Sequence, residues 1–244
     1  MRNIRLLLEY DGTQYGGWQR QKNSVTIQQR LEESIYSITG EHAEAVGCSR
    51  TDAGVHAKGF VCNFHTSCGI PENKVRDALN SKLPVDIRVL LSEEASVEFH
   101  SRYCSKGKTY SYTIINRDIS PVIYRNYACH IKQKLNVEEM SRAAQYLVGK
   151  HDFAAFRNTG SSVKTSVRTI TQLDVTCEGE YIKLYGTADG FLYNMMRIIA
   201  GTLIEVGIGK RKAWELAGIL NSGDRTKAGK SAPPQGLCLE KVYY

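Results

Sequence analysis

The sequence predicts an α+β protein of two domains, on three observations. Apolar residues recur with a period of two in some runs and with helical spacing in others. The first six elements follow in the order β-α-β-β-α-β, the split βαβ or ferredoxin-like unit. A second set of strands and helices begins near residue 105. With 244 residues the chain has room for two domains of ordinary size, divided into 1–102 and 103–244.

Residues 4–10 (I-R-L-L-L-E-Y) read as a buried strand that ends at the turn signal Asp11-Gly12-Thr13. Thr26 with Gln29 fits a capping box. Ile27, Leu31, Ile35 and Ile38 then continue at helical spacing until Gly40 stops the run. Residues 43–46 are a short strand, and Phe60, Cys62 and Phe64 mark the apolar face of a longer one. Pro71 opens a helix with Val75, Ala78, Leu79 and Leu83 on its apolar side, closed by Pro84, and residues 86–91 form the next strand.

In the second half a strand is expected over 105–116, and a helix capped by Asn136 follows it. Strands come next over 168–177 and 181–188, then a long apolar helix from Phe191, a basic helix over 210–221 and a last strand from Leu237. Residues 159–163 and 223–235, rich in Gly, Ser, Lys and Pro, are expected to be mobile loops.

Composition narrows the function. Hydrophobic residues make up 42% and charged residues 23%, as in a globular protein with a core. A net charge of +7 suits a polyanionic partner such as nucleic acid. The most apolar stretch, 191–207, carries Arg197 and Glu205 and falls short of the ~20 apolar residues that span a bilayer. No membrane association and a cytoplasmic location are expected. The seven cysteines are irregularly spaced with no Cys-x-x-Cys, which argues against a disulfide framework and against a metal site.

Three stretches carry candidate chemistry. Residues 47–57 (G-C-S-R-T-D-A-G-V-H-A) form a loop between strands that gathers Arg50, Asp52 and His56. By spacing alone it is either a surface turn with a local Arg-Asp pair or a catalytic loop, and His56 reads as a satisfied loop histidine. On the strand over 105–116, Lys106, Lys108, Tyr110 and Tyr112 share one face. Such a face suits phosphates and a stacked base, or else simply covers a hydrophobic edge. Arg197 sits in a helix apolar nearly all round and needs an anion there. Its partner is either a structural carboxylate or Asp52 across the domain boundary, which Arg197 would keep ionised.

Other motifs are incomplete. Glu9-Tyr10-Asp11-Gly12-Thr13 lacks the first aspartate that an aspartyl phosphotransferase uses as nucleophile. His42-Ala43-Glu44 has no accompanying Pro-Cys-x-x-Cys. Gly207-Ile208-Gly209-Lys210 is not a phosphate-binding loop.

Nearly end to end, the chain resembles the tRNA pseudouridine synthase A (TruA) family. The carrying residues are L-E-Y-D-G-T at 8–13, G-W-Q at 17–19, T-I-Q at 26–28, R-T-D-A-G-V-H-A at 50–57 and L-N at 79–80. They continue with F-H-S-R at 99–102, K-T-Y-S-Y at 108–112, D-F-A-A-F at 152–156, N-M-M-R at 194–197 and G-L at 236–237. Ser49 stands where the family commonly has glycine, and Asn194 where it often has histidine; neither touches the acid. The resemblance implies two ferredoxin-like α+β domains with mainly antiparallel sheets flanking a central basic cleft. It further implies a homodimer, tRNA as the partner, and no cofactor or metal. The implied reaction isomerises uridine to pseudouridine in the anticodon stem-loop, at tRNA positions 38 to 40.

In that reading Asp52 is the catalytic carboxylate, acting by covalent attack or proton transfer. Arg197 holds Asp52 ionised, Arg50 holds the displaced nucleotide by its phosphate, and Tyr110 stacks on the uracil. The basic runs at 210–212 and 225–230 add phosphate contacts or a solubilising surface. The alternatives from other classes are a non-catalytic tRNA-binding protein or RNA chaperone, and a magnesium-dependent phosphotransferase built on Glu9 and Asp11.

Overall fold

The computed structural model describes residues 1–158, 160, 163 and 165–244. Packing divides the chain into two compact units, Met1–Lys106 with Leu239–Tyr244, and Gly107–Cys238.

The first unit opens with β1 (Arg2–Tyr10), α1 (Ile27–Thr39), β2 (Val46–Gly47), β3 (His56–Thr66), α2 (Glu72–Asn80) and β4 (Ile87–Ala95). The order β-α-β-β-α-β is the expected one, with β2 reduced to two residues. β1 lies antiparallel between β3 and β4, and β2 pairs with β3. The register sets Ile4 against Phe64, Leu6 against Cys62 and Leu8 against Phe60. Alternate side chains share a face, so these six residues make one apolar surface, and all are buried. Ile27, Leu31 and Ile35 of α1 and Val75 and Leu79 of α2 are buried as well.

α1 is capped by Thr26, whose side chain accepts from Gln29 N at 3.3 Å, and it ends at Gly40 in the left-handed conformation (φ 72°). Only this half of the expected capping box forms, because the Gln29 carboxamide donates to Glu33 instead (2.8 Å). α2 ends at Asn80, ahead of Pro84, with Ser81 as its C-cap.

The second unit contains β5 (Gly107–Asn116), β6 (Cys129–Ile131), α3 (Val137–Gln145), β7 (Gly149–Asp152), β8 (Val167–Glu178), β9 (Tyr181–Ala188), α4 (Met195–Gly207) and α5 (Glu215–Ser222). Its sheet runs β5-β9-β8-β7, each neighbour antiparallel, with β6 parallel to β5. β8 and β9 follow their expected spans closely and turn through Gly179 at φ 59°. Asn136 caps α3 by accepting from Glu139 N at 3.1 Å.

Two helices begin later than the apolar pattern predicts. α4 starts at Met195 rather than Phe191, because Asn194 takes a left-handed backbone (φ 60°, ψ 9°) that breaks the helix at its head. α5 starts at Glu215, so Lys210, Arg211 and Lys212 precede it rather than lie on it. The basic residues there are partly engaged: Arg211 and Lys210 both meet Glu205 of α4.

A 3₁₀ turn at Arg225–Lys227 and a tied-down segment replace the mobile loop expected over 223–235. Gly229 N donates to Thr202 Oγ1 (2.9 Å) and Ala232 N to the Arg197 carbonyl (2.9 Å). Close approach is possible because Gly201 lacks a side chain; a Cβ there would stand 1.8 Å from the Lys230 carbonyl oxygen. The other expected mobile loop, 159–163, falls largely outside the described residues.

β10 (Leu237–Tyr243) ends the chain's secondary structure, and from Leu239 onward it belongs to the first unit, beside β3. Gly59 lets the two backbones meet, since a Cβ on it would stand 2.4 Å from the Glu240 carbonyl oxygen. Tyr244 donates its hydroxyl to Ser101 O at 2.7 Å, and the Arg5 guanidinium lies 4.9 Å from the Tyr244 ring centroid. Among the described residues no helix is long and apolar enough to cross a membrane.

Candidate active site

Asp52 sits in the connection between β2 and β3, half-buried, with Thr51 buried before it and Ala53 exposed after it. Val55 N donates to the Asp52 carbonyl at 3.2 Å and closes a turn in which Gly54 takes the left-handed position at φ 77°. A side chain at 54 would have to adopt this backbone under strain, which explains one of the two glycines that bracket the acid.

The segment after β1, residues 11–26, holds this turn from behind. Trp18 N donates to the Thr51 carbonyl (3.0 Å) and Gly54 N donates to the Tyr15 carbonyl (3.3 Å). Two glycines make the contact close. A Cβ on Gly17 (φ 92°) would stand 2.4 Å from Thr51 O, and one on Gly12 would stand 2.0 Å from Val55 O. The Tyr10 hydroxyl and Thr51 Oγ1 share a buried hydrogen bond of 2.8 Å. Aromatic packing fixes the same segment: the Trp18 ring stacks on Phe60 of β3 at 4.1 Å. Gly47 makes room for that indole, since a Cβ there would stand 2.5 Å from it.

Acidic side chains around the turn have local duties. Asp11 Oδ1 accepts from Thr13 N (2.9 Å) and Thr13 Oγ1 (2.5 Å), forming the expected turn. His56 Nδ1 lies 3.1 Å from Gly12 N and 3.1 Å from Asp11 Oδ1, so it is the satisfied histidine anticipated for the loop. Asp86 accepts the Tyr15 hydroxyl at 2.6 Å. Burial first, and then this bond to a carboxylate, push the Tyr15 pKa well above that of a free phenol. Arg50 is exposed, two residues before Asp52 on the same loop.

The other two predicted residues belong to the second unit. Tyr110 is on β5 opposite Gly186 of β9, only 6% exposed, with Phe191 edge-on to its ring at 5.0 Å. That small exposed area restricts any ligand contact to part of the ring. Lys108 and Tyr112 on the same face are buried too, and the Tyr112 hydroxyl donates to Pro233 O (2.8 Å). The face that suits phosphates and a stacked base, or else covers a hydrophobic edge, is mostly buried, because period-two spacing identifies a shared face without identifying what covers it. Lys106 lies ahead of the strand and is exposed.

Arg197 occupies the first turn of α4, half-buried. Nε donates to Ala232 O (2.8 Å) and Nη1 to Asn194 Oδ1 (2.8 Å). Arg225 likewise donates within the unit, to Asn158 Oδ1 (3.1 Å) and Gly229 O (3.0 Å), and so braces the segment over α4. Among the described residues no group of three or more His, Cys, Asp or Glu side chains is arranged to hold a metal ion.

A profile described as tRNA pseudouridine synthase matches residues 7–104 and 143–244, which include the Asp52 turn and the Arg197 helix. The chain belongs to the tRNA pseudouridine synthase family. As a member it is an isomerase, forming pseudouridine in tRNA.

Similar proteins match this synthase over its whole length. One from Clostridium perfringens, named tRNA pseudouridine synthase A 2, is 55% identical over 244 residues, with 100% of both chains covered. A tRNA pseudouridine synthase A from Clostridium kluyveri is 54% identical and one from Acetivibrio thermocellus 51%, both over 100% of each chain.

In the synthase, sequence reasoning singled out the acid and the arginines but not what supports them. Tyr10, Gly17 and Trp18 hold the Asp52 turn, and Asn194 holds Arg197. The Gly16-Gly17-Trp18 run signals a close backbone approach, and the i, i+3 spacing of Asn194 and Arg197 signals a local side-chain pair.

Proposed function

We propose that this synthase converts uridine to pseudouridine at positions 38 to 40 of the tRNA anticodon stem-loop, using Asp52 and no cofactor. The C1′–N1 bond breaks, the uracil turns, C5 bonds to C1′, C5 loses its proton and N1 gains one. Atoms and electrons balance within the nucleotide, so no redox partner is required. A carboxylate serves this chemistry as nucleophile or as base. The observation that carries the reading is the clamped turn. Backbone hydrogen bonds to Thr51 and Gly54 and the shape of Gly17 hold Asp52 in one place, and fixed geometry is what lets one side chain accelerate a bond rearrangement.

Arg197 supplies a cation to the site, Arg50 binds the displaced nucleotide's phosphate, and Tyr110 contacts the uracil. The target nucleotide must leave its helix to reach an aspartate, at a cost of a few kcal/mol. Phosphate contacts from a chain of net charge +7 offset that cost. The working unit is a homodimer in the cytoplasm; light scattering of the purified protein in solution checks the former.

The test is release of tritium from tRNA carrying [5-³H]uridine. Wild type should release it and Asp52→Asn should not, while the variant still binds tRNA. Wild-type tRNA binding with no tritium release would instead indicate a binding protein or RNA chaperone.

A further inference from the structure

The head of α4 carries a backbone conformation that the helix itself does not need. Among the described residues Asn194 is the only non-glycine with positive φ. Its position is that of the helix N-cap, where a side-chain oxygen ordinarily accepts from a backbone N–H of the first turn. Here the side chain makes no such bond. Its Oδ1 instead accepts from Arg197 Nη1 at 2.8 Å, three residues along. A residue in the usual extended N-cap conformation would direct its oxygen at the helix N–H groups, so the left-handed turn is what re-aims the carboxamide. Asn tolerates that turn better than most residues.

The guanidinium is anchored at a second nitrogen. Nε donates to Ala232 O (2.8 Å), while Ala232 N donates to the Arg197 carbonyl (2.9 Å). Two anchors on different nitrogens fix both the plane of the fork and its roll about the side-chain axis.

We propose that Asn194 is a positioning residue, whose side-chain oxygen, presented by a left-handed backbone, orients the Arg197 guanidinium for its role in catalysis. The inference rests on the proposed role of Arg197 in the reaction, and its chemistry is that of a hydrogen-bonded support behind a charged group.

Two substitutions separate the backbone from the side chain. Asn194→Gly accepts the left-handed φ and deletes the oxygen; Asn194→Asp keeps an acceptor there. In Asn194→Gly, kcat for pseudouridine formation should fall roughly ten- to a hundredfold, the size of effect that misplacing a catalytic group produces. KM for tRNA and the melting temperature should stay near wild type. The Arg197 Nη1–H resonance, assigned in ¹⁵N spectra through its loss in Arg197→Lys, should exchange faster with water. Asn194→Asp should recover the resonance.

Unchanged kcat in Asn194→Gly overturns the proposal. So does a fall in kcat with an unaltered Nη1–H resonance, or a fall that simply follows the melting temperature in both variants. Absence of turnover by wild type, with the resonance still responding to Asn194→Gly, would remove the catalytic reading while leaving the orientation of Arg197 in place.

Discussion

Trp18 N donates to the Thr51 carbonyl at 3.0 Å, so the residue directly before Asp52 is fixed by the segment that follows β1. The acid is thereby positioned by residues more than thirty places earlier in the chain, through this backbone bond and the side-chain bond between Tyr10 and Thr51.

Gly17→Ala tests that support. The new Cβ would stand 2.4 Å from Thr51 O on a backbone at φ 92°. Strain of this kind costs about 1–3 kcal/mol, and relief requires the Asp52 turn to shift. Denaturant unfolding should show the loss, and kcat should fall with little change in tRNA affinity. A variant with wild-type stability and rate would mean the turn does not depend on this contact.

Tyr110→Phe keeps the ring and removes the hydroxyl. If Tyr110 acts only through contact with the base, single-turnover rates should stay within about twofold of wild type; a drop of 10²-fold or more marks proton transfer. Tyr110→Ala should weaken the reaction in either case, because base–aromatic contacts are worth ~1–3 kcal/mol.

Arg197→Lys retains the charge and loses the fork. An ammonium cannot serve both the Ala232 carbonyl and the Asn194 carboxamide in the present geometry. Activity should fall by at least about tenfold, an estimate based on one lost charge-assisted bond. Kinetics equal to wild type would remove Arg197 from the site.

Glu205 offers a pH test of stability away from catalysis. Burial alone would raise its pKa, but the hydrogen bond and charge of Arg211, together with Lys210, bring it below that of an ordinary glutamate. A depressed folded-state pKa contributes stability above the unfolded value of about 4.5 and loses it as pH falls through the folded value. Glu205→Gln should therefore be less stable than wild type at pH 7, with the gap closing as pH falls through the depressed folded-state value. Urea midpoints across that range give the comparison; a gap independent of pH would attribute the loss to packing.

Much of this arrangement was legible before any coordinates. Period-two runs located β8 and β9 almost to the residue, and the β-α-β-β-α-β order of the first unit followed from spacing and punctuation. The loop with Arg50 and Asp52 declared itself by its flanking strands and glycines. What spacing missed is instructive. The start of α4 depends on one backbone angle at Asn194, which leaves no trace in the apolar pattern. Tyr112 shares a face with Tyr110, but its hydroxyl is committed to Pro233, more than a hundred residues away. The Gly- and Lys-rich segment over 223–235 has the composition of a loose loop, yet its small residues are what let it lie on α4.

Because residues Leu239–Tyr244 pack with the first unit, that unit waits during synthesis for a segment made after the whole of the second. β1, β2, β3 and β4 can pair during synthesis, but β3 keeps part of one edge unfilled, and Ser101 and Arg5 lack Tyr244, until translation has passed through the whole of the second unit.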